Sequence, residues 1–505
     1  MGNAGRKFIK RFLLGLGVLF LLLLVLVARP ACHLIKTAWN DRNEIAPATP
    51  GRINDASRLD ETRVAKIWEM PADLKDAEKQ LAGLLEYART NHLKVSIAGA
   101  RHSMGGHVIY PDGIVIDMTP FKGMELDGTN LLLHVQAGAR WSEVIPFLNA
   151  HGLSVEVMQS NDDFSVGGSL SVNCHGWQFN RPPIASTVQS FRLMRADGSI
   201  VRCSRTENHE LFSLALGGYG LFGIILDADL RVAPNEQYRI ERLIVPAADY
   251  VKMLAKKTTG ATDVQMVYGR LRVTARDFLS EGIINIFHRL PAASPLVGTL
   301  GGPKYVALQR AIFRAGVGDE QGKELRWSSE KYFYSVLSGD VFDRNAILYE
   351  GAAWFQDRSK ASTDILMECF VPPKQFEPLL VELRKIIPQN QADLLNVTVR
   401  DVNRDNDSFL CYADKDLISL VMLFHQTRDA PGEQKMSRLT QEIVAATLRH
   451  EGRYYLPYRL HATLEQFDTA YPQGRKFFEL KRNYDPEELF QNQFYLKYGK
   501  VGLKS

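Results

Sequence analysis

The stretch VSIAGARHSMGGHVIYPDGIVIDM, residues Val95–Met118, decides the fold class. An apolar strand leads into a loop of small residues that carries His102 and Ser103, and a second strand follows after a turn. Glycines and alanines at 98–100 and 105–106 let the backbone approach a ligand closely, and N–H groups in such a loop can hold phosphate. The stretch therefore predicts a phosphate-binding loop between two strands, with His102 as its reactive group.

Alternating helices and strands surround this loop. Apolar residues at helical intervals from Leu74 to Ala88 predict an amphipathic helix that ends at Asn91. LLLHVQA at Leu131–Ala137 predicts a strand, and WSEVIPFLNA at Trp141–Ala150 predicts a helix. Because such units recur up to residue 235, the sequence predicts a domain that mixes helices with strands.

Two further small-residue stretches follow, SVGGSLSVNCHG at Ser165–Gly176 and LGGYGLFGIILDADL at Leu216–Leu230. Each lies at the border of a predicted strand, and a plain turn would explain either one alone. None of the three loops is GxxxxGK[ST], and none is GxGxxG opening a helix, which excludes the P-loop and Rossmann classes. Their joint order predicts one site for a flat ligand or a phosphate.

Composition narrows the function classes. A length of 505 residues with 45% hydrophobic residues predicts about two to four globular units. The 61 basic and 57 acidic residues nearly balance, which argues against a nucleic-acid partner. The five cysteines form no CxxC pair, and the histidines lack the acidic and cysteine spacing of a metal site. The sequence therefore predicts neither a disulfide scaffold nor a metal centre.

The N-terminus predicts a membrane anchor. Residues 12–28 are uncharged and almost wholly apolar, near the lower length limit for a spanning helix. Basic residues cluster in 1–11, which predicts a cytoplasmic N-terminus and a single-pass protein whose globular part is extracytoplasmic, periplasmic or luminal. A cleaved signal peptide is the alternative, although the following ARPACHL is a poor cleavage context. The mixed composition of 29–60 predicts a linker.

Four blocks in one order resemble a known family. GARHSMGGHVIYPDGIVIDM, VQAGARWSEV, SVGGSLSVNCHG and GGYGLFGIILDADL are similar to the FAD-binding domain of the vanillyl-alcohol oxidase superfamily, which includes cytokinin dehydrogenases, alditol oxidases and aldonolactone oxidases. The resemblance implies an α+β protein with a two-subdomain FAD-binding domain of the PCMH type at 61–235. It further implies an α+β substrate, or cap, domain at 236–450 and a C-terminal segment, 451–505, that returns to the FAD-binding domain.

The resemblance also implies roles for residues in the loops. His102 fits the family's G-x-x-H-S loop, in which the histidine is commonly bonded to the flavin, and His107 is the rival attachment site. Residues 97–103 should hold the pyrophosphate, and 166–176 should line the isoalloxazine and phosphates. The full set of implied FAD contacts is Ala98, Gly99, Ala100, Arg101, His102, Ser103, His107, Val166, Gly167, Gly168, Ser169, Ser171, His175, Gly176, Gly223 and Ile224.

The implied chemistry is hydride transfer from a small alcohol, polyol, sugar lactone or amine to flavin N5, with oxygen or a membrane quinone as the final acceptor. Four polar residues set among apolar neighbours are candidate catalytic groups of the cap domain: Glu350, Arg400, His425 and Arg459. Asp162 and Asp163 stand closer to Gly167 than the aspartate of cytokinin dehydrogenases does, which argues against a cytokinin substrate. A noncovalent flavoprotein reductase or dehydrogenase and a flavin-fold binding protein without catalysis remain alternatives.

Overall fold

The computed structural model describes residues 31–39, 41–42, 45, 48–291, 300–301, 305–332 and 341–500. Its strands are β1 (Arg52–Ile53), β2 (Thr62–Arg63), β3 (Lys66–Glu69), β4 (Val95–Ala98), β5 (Ile114–Asp117), β6 (Met124–Asp127), β7 (Leu132–Gln136), β8 (Leu153–Val155), β9 (Val188–Met194), β10 (Ile200–Ser204), β11 (Ile224–Pro234), β12 (Gln237–Pro246), β13 (Val264–Leu271), β14 (Glu281–Arg289), β15 (Val341–Asp343), β16 (Ser362–Val371), β17 (Asp393–Val402), β18 (Leu417–Thr427) and β19 (Arg453–Tyr454).

The α-helices with defined bounds are α1 (Leu74–Thr90), α2 (Trp141–Asn149), α3 (Val166–Ser171), α4 (His209–Ala215), α5 (Tyr250–Thr258), α6 (Val306–Arg314), α7 (Glu320–Tyr332), α8 (Arg344–Leu348), α9 (Phe376–Gln389), α10 (Ala430–Arg449), α11 (Leu464–Ala470) and α12 (Gly474–Tyr484). Short 3-10 turns lie at Ile184–Thr187, Ala247–Asp249, Ala352–Trp354 and Pro373–Gln375, and a π-helical turn lies at Tyr495–Gly499.

The first predicted loop joins two parallel strands. β3, β5 and β4 form a parallel sheet in that order, with Val95 opposite Ile114. The predicted strands of the Val95–Met118 stretch are confirmed as β4 and β5, and the predicted amphipathic helix is confirmed as α1, with Asn91 as its C-cap. Because β4 and β5 run in parallel, residues 99–113 cross from the carboxyl end of one strand to the start of the other.

A second, antiparallel sheet lies next to the other two glycine-rich stretches. Its order is β10-β9-β11-β7-β6, with β8 pairing to the far end of β11. The second stretch differs from prediction, because Val166–Ser171 forms a short helix instead of an open loop. The Trp141 indole donates to Ser169 Oγ at 2.9 Å, so this helix is fastened to α2. The third stretch is confirmed as the approach to a core strand, β11.

The third part is an antiparallel sheet in the order β15-β12-β14-β13-β17-β18-β16-β19. Helices α9 and α10 pack against each other and α10 packs on β16 and β18. Helix α10 begins at Ala430, and the Asp429 side chain caps it by accepting the Gly432 N–H at 2.8 Å. Alternate residues of β16, β17 and β18 point away from these helices and form the wall of a cavity.

Segments distant in sequence enclose the first loop. The Val95 N–H donates to the Leu489 carbonyl at 2.8 Å, and the Met104 N–H donates to the Pro457 carbonyl at 2.9 Å. From the other terminus, Asp55 Oδ2 accepts the Gly106 N–H at 2.8 Å. Residues 31–39 are helical and β1 is paired, so regular structure occurs within the segment predicted as a linker. The domain boundaries themselves stay predictions.

Across the described ranges, no helix has both the length and the apolar character that a membrane crossing requires. The predicted anchor at 12–28 lies outside those ranges. Membrane attachment therefore stays a prediction.

Candidate active site

A cavity of about 830 Å³ lies between the glycine-rich loops and the antiparallel sheet of β12–β18. This volume is typical of a cofactor or substrate site. Most of the predicted cofactor contacts line it: Gly99, Ala100, Arg101, His102, Ser103, His107, Gly167, Gly168, Ser171, His175 and Gly223.

The remaining predicted contacts are Ala98, Val166, Ser169, Gly176 and Ile224, and they lie behind the cavity wall. Ser169 illustrates the reason, because its hydroxyl donates to Gln159 Oε1 at 2.7 Å and accepts from Trp141. A Cβ on Gly176 would come within 1.9 Å of the Met158 carbonyl oxygen, so this glycine is required by packing of the chain on itself. The cofactor roles of all these residues stay predictions.

The two adjacent glycines of α3 differ in what surrounds them. A Cβ on Gly167 would lie 2.7 Å from Ala137 Cβ and 3.0 Å from the Ala137 carbonyl oxygen, whereas a Cβ on Gly168 would meet only the Ser165 hydroxyl. We expect Gly167→Ala to lower the free energy of unfolding by about 1–3 kcal/mol, because backbone cannot move aside. Gly168→Ala is the matched control and should cost less. Equal urea midpoints for the two variants would contradict this assignment.

His102 stacks on Phe164, with ring centroids 4.1 Å apart. Burial lowers the pKa of His102, and the charge of nearby Asp163 opposes the shift only in part. The ring is therefore neutral near pH 7, which is the form that can act as a nucleophile. The Asp163 carboxylate accepts a hydrogen bond from the Ala352 N–H. This bond ties the segment before the second glycine-rich stretch to the predicted cap domain.

His107 is more deeply enclosed than His102. Its ring lies 5.3 Å from that of Tyr219 and 5.8 Å from that of Phe494, and it is 5% exposed. Burial lowers the pKa of His107 to about 3. It lines the same cavity and keeps its place as the rival attachment site.

The low pKa of His107 predicts a pH effect on stability. In the unfolded chain the His107 side chain takes up a proton near pH 6.5, whereas in the folded protein it does so only near pH 3. Between these two values protonation favours the unfolded state, so the free energy of unfolding falls as pH falls from about 6.5 toward 3. We expect wild type to lose about 1.4 kcal/mol of unfolding free energy per pH unit below pH 6, relative to His107→Leu. Urea unfolding at pH 7.5, 6 and 5 measures this difference. Parallel pH curves for the two proteins would exclude it.

The loop side of the cavity fits an FAD cofactor. Ser103 Oγ is buried with no hydrogen-bond partner in the described part of the chain, although it lines the cavity. A buried hydroxyl without a partner is costly, and a bound polar ligand would satisfy it. Gly168 has open space on its Cβ side apart from Ser165 Oγ, which leaves room for a close backbone approach.

We call the wall of the cavity that is formed by the β12–β18 sheet the cap side. It carries a hydrogen-bonded cluster centred on Glu368. His175 Nε2 lies 2.7 Å from Glu368 Oε1, which also accepts from the Ser419 hydroxyl. The Tyr458 hydroxyl donates to Glu368 Oε2 at 3.4 Å. Burial would raise the pKa of Glu368, but His175 and Arg400 outweigh it and hold the pKa below its usual value. The carboxylate is therefore ionised although it is fully buried.

Two of the predicted catalytic residues line the cavity. Arg400 donates to Ser160 Oγ at 2.7 Å and to the His175 carbonyl at 3.3 Å, so it ties β17 to the second glycine-rich stretch. Burial raises the pKa of Glu350. Both residues are placed to meet a substrate, and their catalytic roles stay predictions.

The other two predicted catalytic residues do not line the cavity. His425 Nδ1 lies 2.8 Å from Asp364 Oδ1, and Arg314 binds the same carboxylate. Arg459 binds Glu433 and Asp60 in a separate ion-pair network. Both side chains are drawn away from the cavity by charged partners. These partners come from neighbouring strands and loops, so the local sequence does not show them.

In the described residues, His425 with Asp357 and Asp364 forms the one cluster whose spacing could hold a metal ion. Arg314 contacts both carboxylates, at 3.4 Å from Asp357 and closer still to Asp364. A guanidinium therefore already supplies the positive charge that a cation would bring. The cluster is a structural ion network.

Sequence reasoning missed Glu368 and Tyr458. Glu368 lies in the apolar run ILMECFV and Tyr458 in YYLPYRL, and both patterns are typical of core segments. A carboxylate in the middle of a buried strand was the one available signal, because such a group is rarely buried without a partner.

Comparison with known proteins shows what the part of the chain that carries the first two glycine-rich stretches resembles. A family model described as an FAD binding domain matches residues 75–204. The chain is 29% identical over 171 residues to L-gulonolactone oxidase of Mus musculus, which covers 34% of this chain and 38% of that protein. It is 28% identical over 168 residues to cytokinin dehydrogenase 1 of Arabidopsis thaliana, which covers 32% of this chain and 29% of that protein.

A weaker match extends into the cap region. The chain is 21% identical over 445 residues to L-gulonolactone oxidase of Bos taurus, covering 85% of this chain and 94% of that protein. The first two matches span less than half of their relatives' own length. Residues 75–204 of the chain are therefore similar to an FAD binding domain, which agrees with the resemblance of the glycine-rich blocks to the vanillyl-alcohol oxidase superfamily.

Proposed function

We propose that this protein is an FAD-dependent oxidase or dehydrogenase that removes a hydride from a small alcohol, polyol, sugar lactone or amine. The observation that carries the proposal is the cavity of about 830 Å³ that has the glycine-rich loops on one side and charged groups of the β12–β18 sheet on the other. When bound, the flavin supplies the two-electron acceptor.

The cap residues supply the proton chemistry. Tyr458 is partly exposed at the cavity wall, and its hydroxyl hydrogen is directed to Glu368. Its oxygen is therefore free to accept a hydrogen bond from a substrate hydroxyl or amine, and a released proton can pass through Tyr458 to Glu368. Arg400 orients the substrate, and half-buried Glu350 contributes a second hydrogen-bonding group.

His102 would be the covalent attachment point of the FAD. The neutral state of its ring and its place in the cavity support this role. Noncovalent FAD, with His102 as a contact only, is the second candidate, and it would fit a reductase or dehydrogenase that uses a quinone. The proposed membrane anchor at 12–28 would place the enzyme beside such a quinone, with oxygen as the other acceptor.

The test is anaerobic titration of the purified holoprotein with alcohols, polyols, sugar lactones and amines, followed by the visible flavin band. We expect at least one class to bleach the band, and oxygen or a soluble quinone to restore it. A yellow protein that dithionite reduces, yet no member of the panel bleaches, would instead favour a binding protein that keeps the fold without catalysis.

A further inference from the structure

Two arginines lie close together on the cap side of the cavity. Arg270 is on β13 and Arg326 is on α7, and both line the cavity with Glu330. Arg270 donates to Thr398 Oγ1 at 2.8 Å, and Arg326 donates to the Leu395 carbonyl. Both partners are neutral groups on β17, so neither bond neutralises a guanidinium.

Negative charge in this region is limited, because burial raises the pKa of Glu350, a carboxyl group of the cavity wall that interacts with Arg270. Glu330 lies 3.5 Å from Arg270 and 3.7 Å from Arg242, so one carboxylate is shared between cations. Asp393, which is also near Arg326, is paired with Lys323 at 2.7 Å. Arg326 Nη1 is buried with no hydrogen-bond partner among the described residues. The positive charge of the two guanidiniums is therefore only partly compensated, and Arg326 keeps an unused donor.

The surroundings of Arg326 disfavour its charged form. The pKa of Arg326 is lowered to about 10, mainly by burial and in smaller part by the charge of Arg270, while the charges of Glu330 and Asp393 oppose the shift. Buried charges are normally paired, because desolvation without a counter-charge is expensive. An anion that enters the cavity would remove this cost.

We propose that Arg270 and Arg326 form an anion subsite that binds a carboxylate or phosphate group of the substrate. The inference deepens the proposed function and rests on it, because the subsite lines the same cavity. β17 connects the two regions: Asn396, Thr398 and Arg400 alternate along one face of the strand and all line the cavity. The substrate class is therefore a hydroxylated acid or a sugar phosphate, with its oxidised carbon held nearer Arg400 and Tyr458.

The test uses matched probes at constant ionic strength and the purified holoprotein. Gluconate is compared with sorbitol, and glucose 6-phosphate with glucose, by isothermal titration calorimetry. We expect one anion to bind more tightly than its neutral partner by about tenfold or more, as charged hydrogen bonds to guanidinium predict. Gluconate alone would indicate a carboxylate and glucose 6-phosphate alone a phosphate.

Two variants should act in opposite directions. Arg326→Gln keeps a donor for Leu395 but removes the charge, and we expect anion affinity to fall about tenfold. Glu330→Gln removes the competing carboxylate and should strengthen anion binding. The matched control is Arg276→Gln, whose side chain is 88% exposed and which should leave binding unchanged.

The inference is wrong if neither anion binds more tightly than its neutral partner, or if folded Arg326→Gln binds the anion as wild type does. These results leave the proposed function standing if a neutral alcohol still bleaches the flavin. Conversely, a colourless protein that binds gluconate through Arg326 would overturn the proposed function and retain the anion subsite.

Discussion

Replacing Glu368 by glutamine is expected to lower kcat by about 100-fold or more, with a smaller change in KM, because the variant loses the group that accepts the proton relayed by Tyr458. Glutamine is nearly isosteric with the carboxylate and can still meet the Ser419 hydroxyl. Steady-state kinetics on a substrate found by flavin bleaching, with circular dichroism as the folding check, measures the effect.

A double-mutant cycle separates this relay from a purely structural role. Tyr458→Phe should also lower kcat, and Tyr458→Phe/Glu368→Gln should be little worse than the more severe single variant, because residues that act as a unit are not additive. Ser419→Ala is the matched control, since it removes only a hydrogen bond on the buried side of Glu368. Additive losses, or an unchanged kcat in Glu368→Gln, would contradict the relay.

Replacing His102 by alanine is expected to abolish acid-stable flavin. The wild-type protein precipitated with trichloroacetic acid should keep its yellow chromophore, whereas the variant should release free FAD into the supernatant. The physical basis is that the half-buried ring of His102, whose pKa is lowered, is the proposed nucleophile in the first loop. Fluorescence of the washed pellet and of the supernatant measures the partition.

His107→Leu is the matched control for this experiment, because His107 lines the same cavity. It should keep acid-stable flavin. The opposite pattern, with attachment lost only in His107→Leu, would make His107 the attachment site. Release of free FAD from the wild-type protein would exclude covalent attachment and select the noncovalent candidate.

The loop side of the cavity could be predicted from the sequence because its signals are local. Glycines, strand periodicity and the order of three loops are all readable within short windows, and β4, β5 and β11 lie where the pattern indicates. The one local difference is α3, where a run of small residues forms a helix because Ser165, Trp141 and Ala137 surround it.

The cap side could not be predicted to the same depth, because its chemistry depends on partners from distant strands. His425 and Arg400 look alike in sequence, each a polar residue in an apolar strand. Asp364 stands opposite His425 on β16 and engages it, whereas Arg400 is paired with Ser419 in register and leads into the cavity. Which of the two meets a ligand is decided by pairing between strands that no local window contains.

The visible absorption spectrum of the purified full-length protein tests the central claim most directly. After expression in cells supplied with riboflavin, the account predicts a yellow protein with one flavin per chain that is identified as FAD after proteolysis. A colourless protein that takes up no FAD on incubation would contradict the claim that the cavity between the glycine-rich loops and the cap sheet is a flavin site.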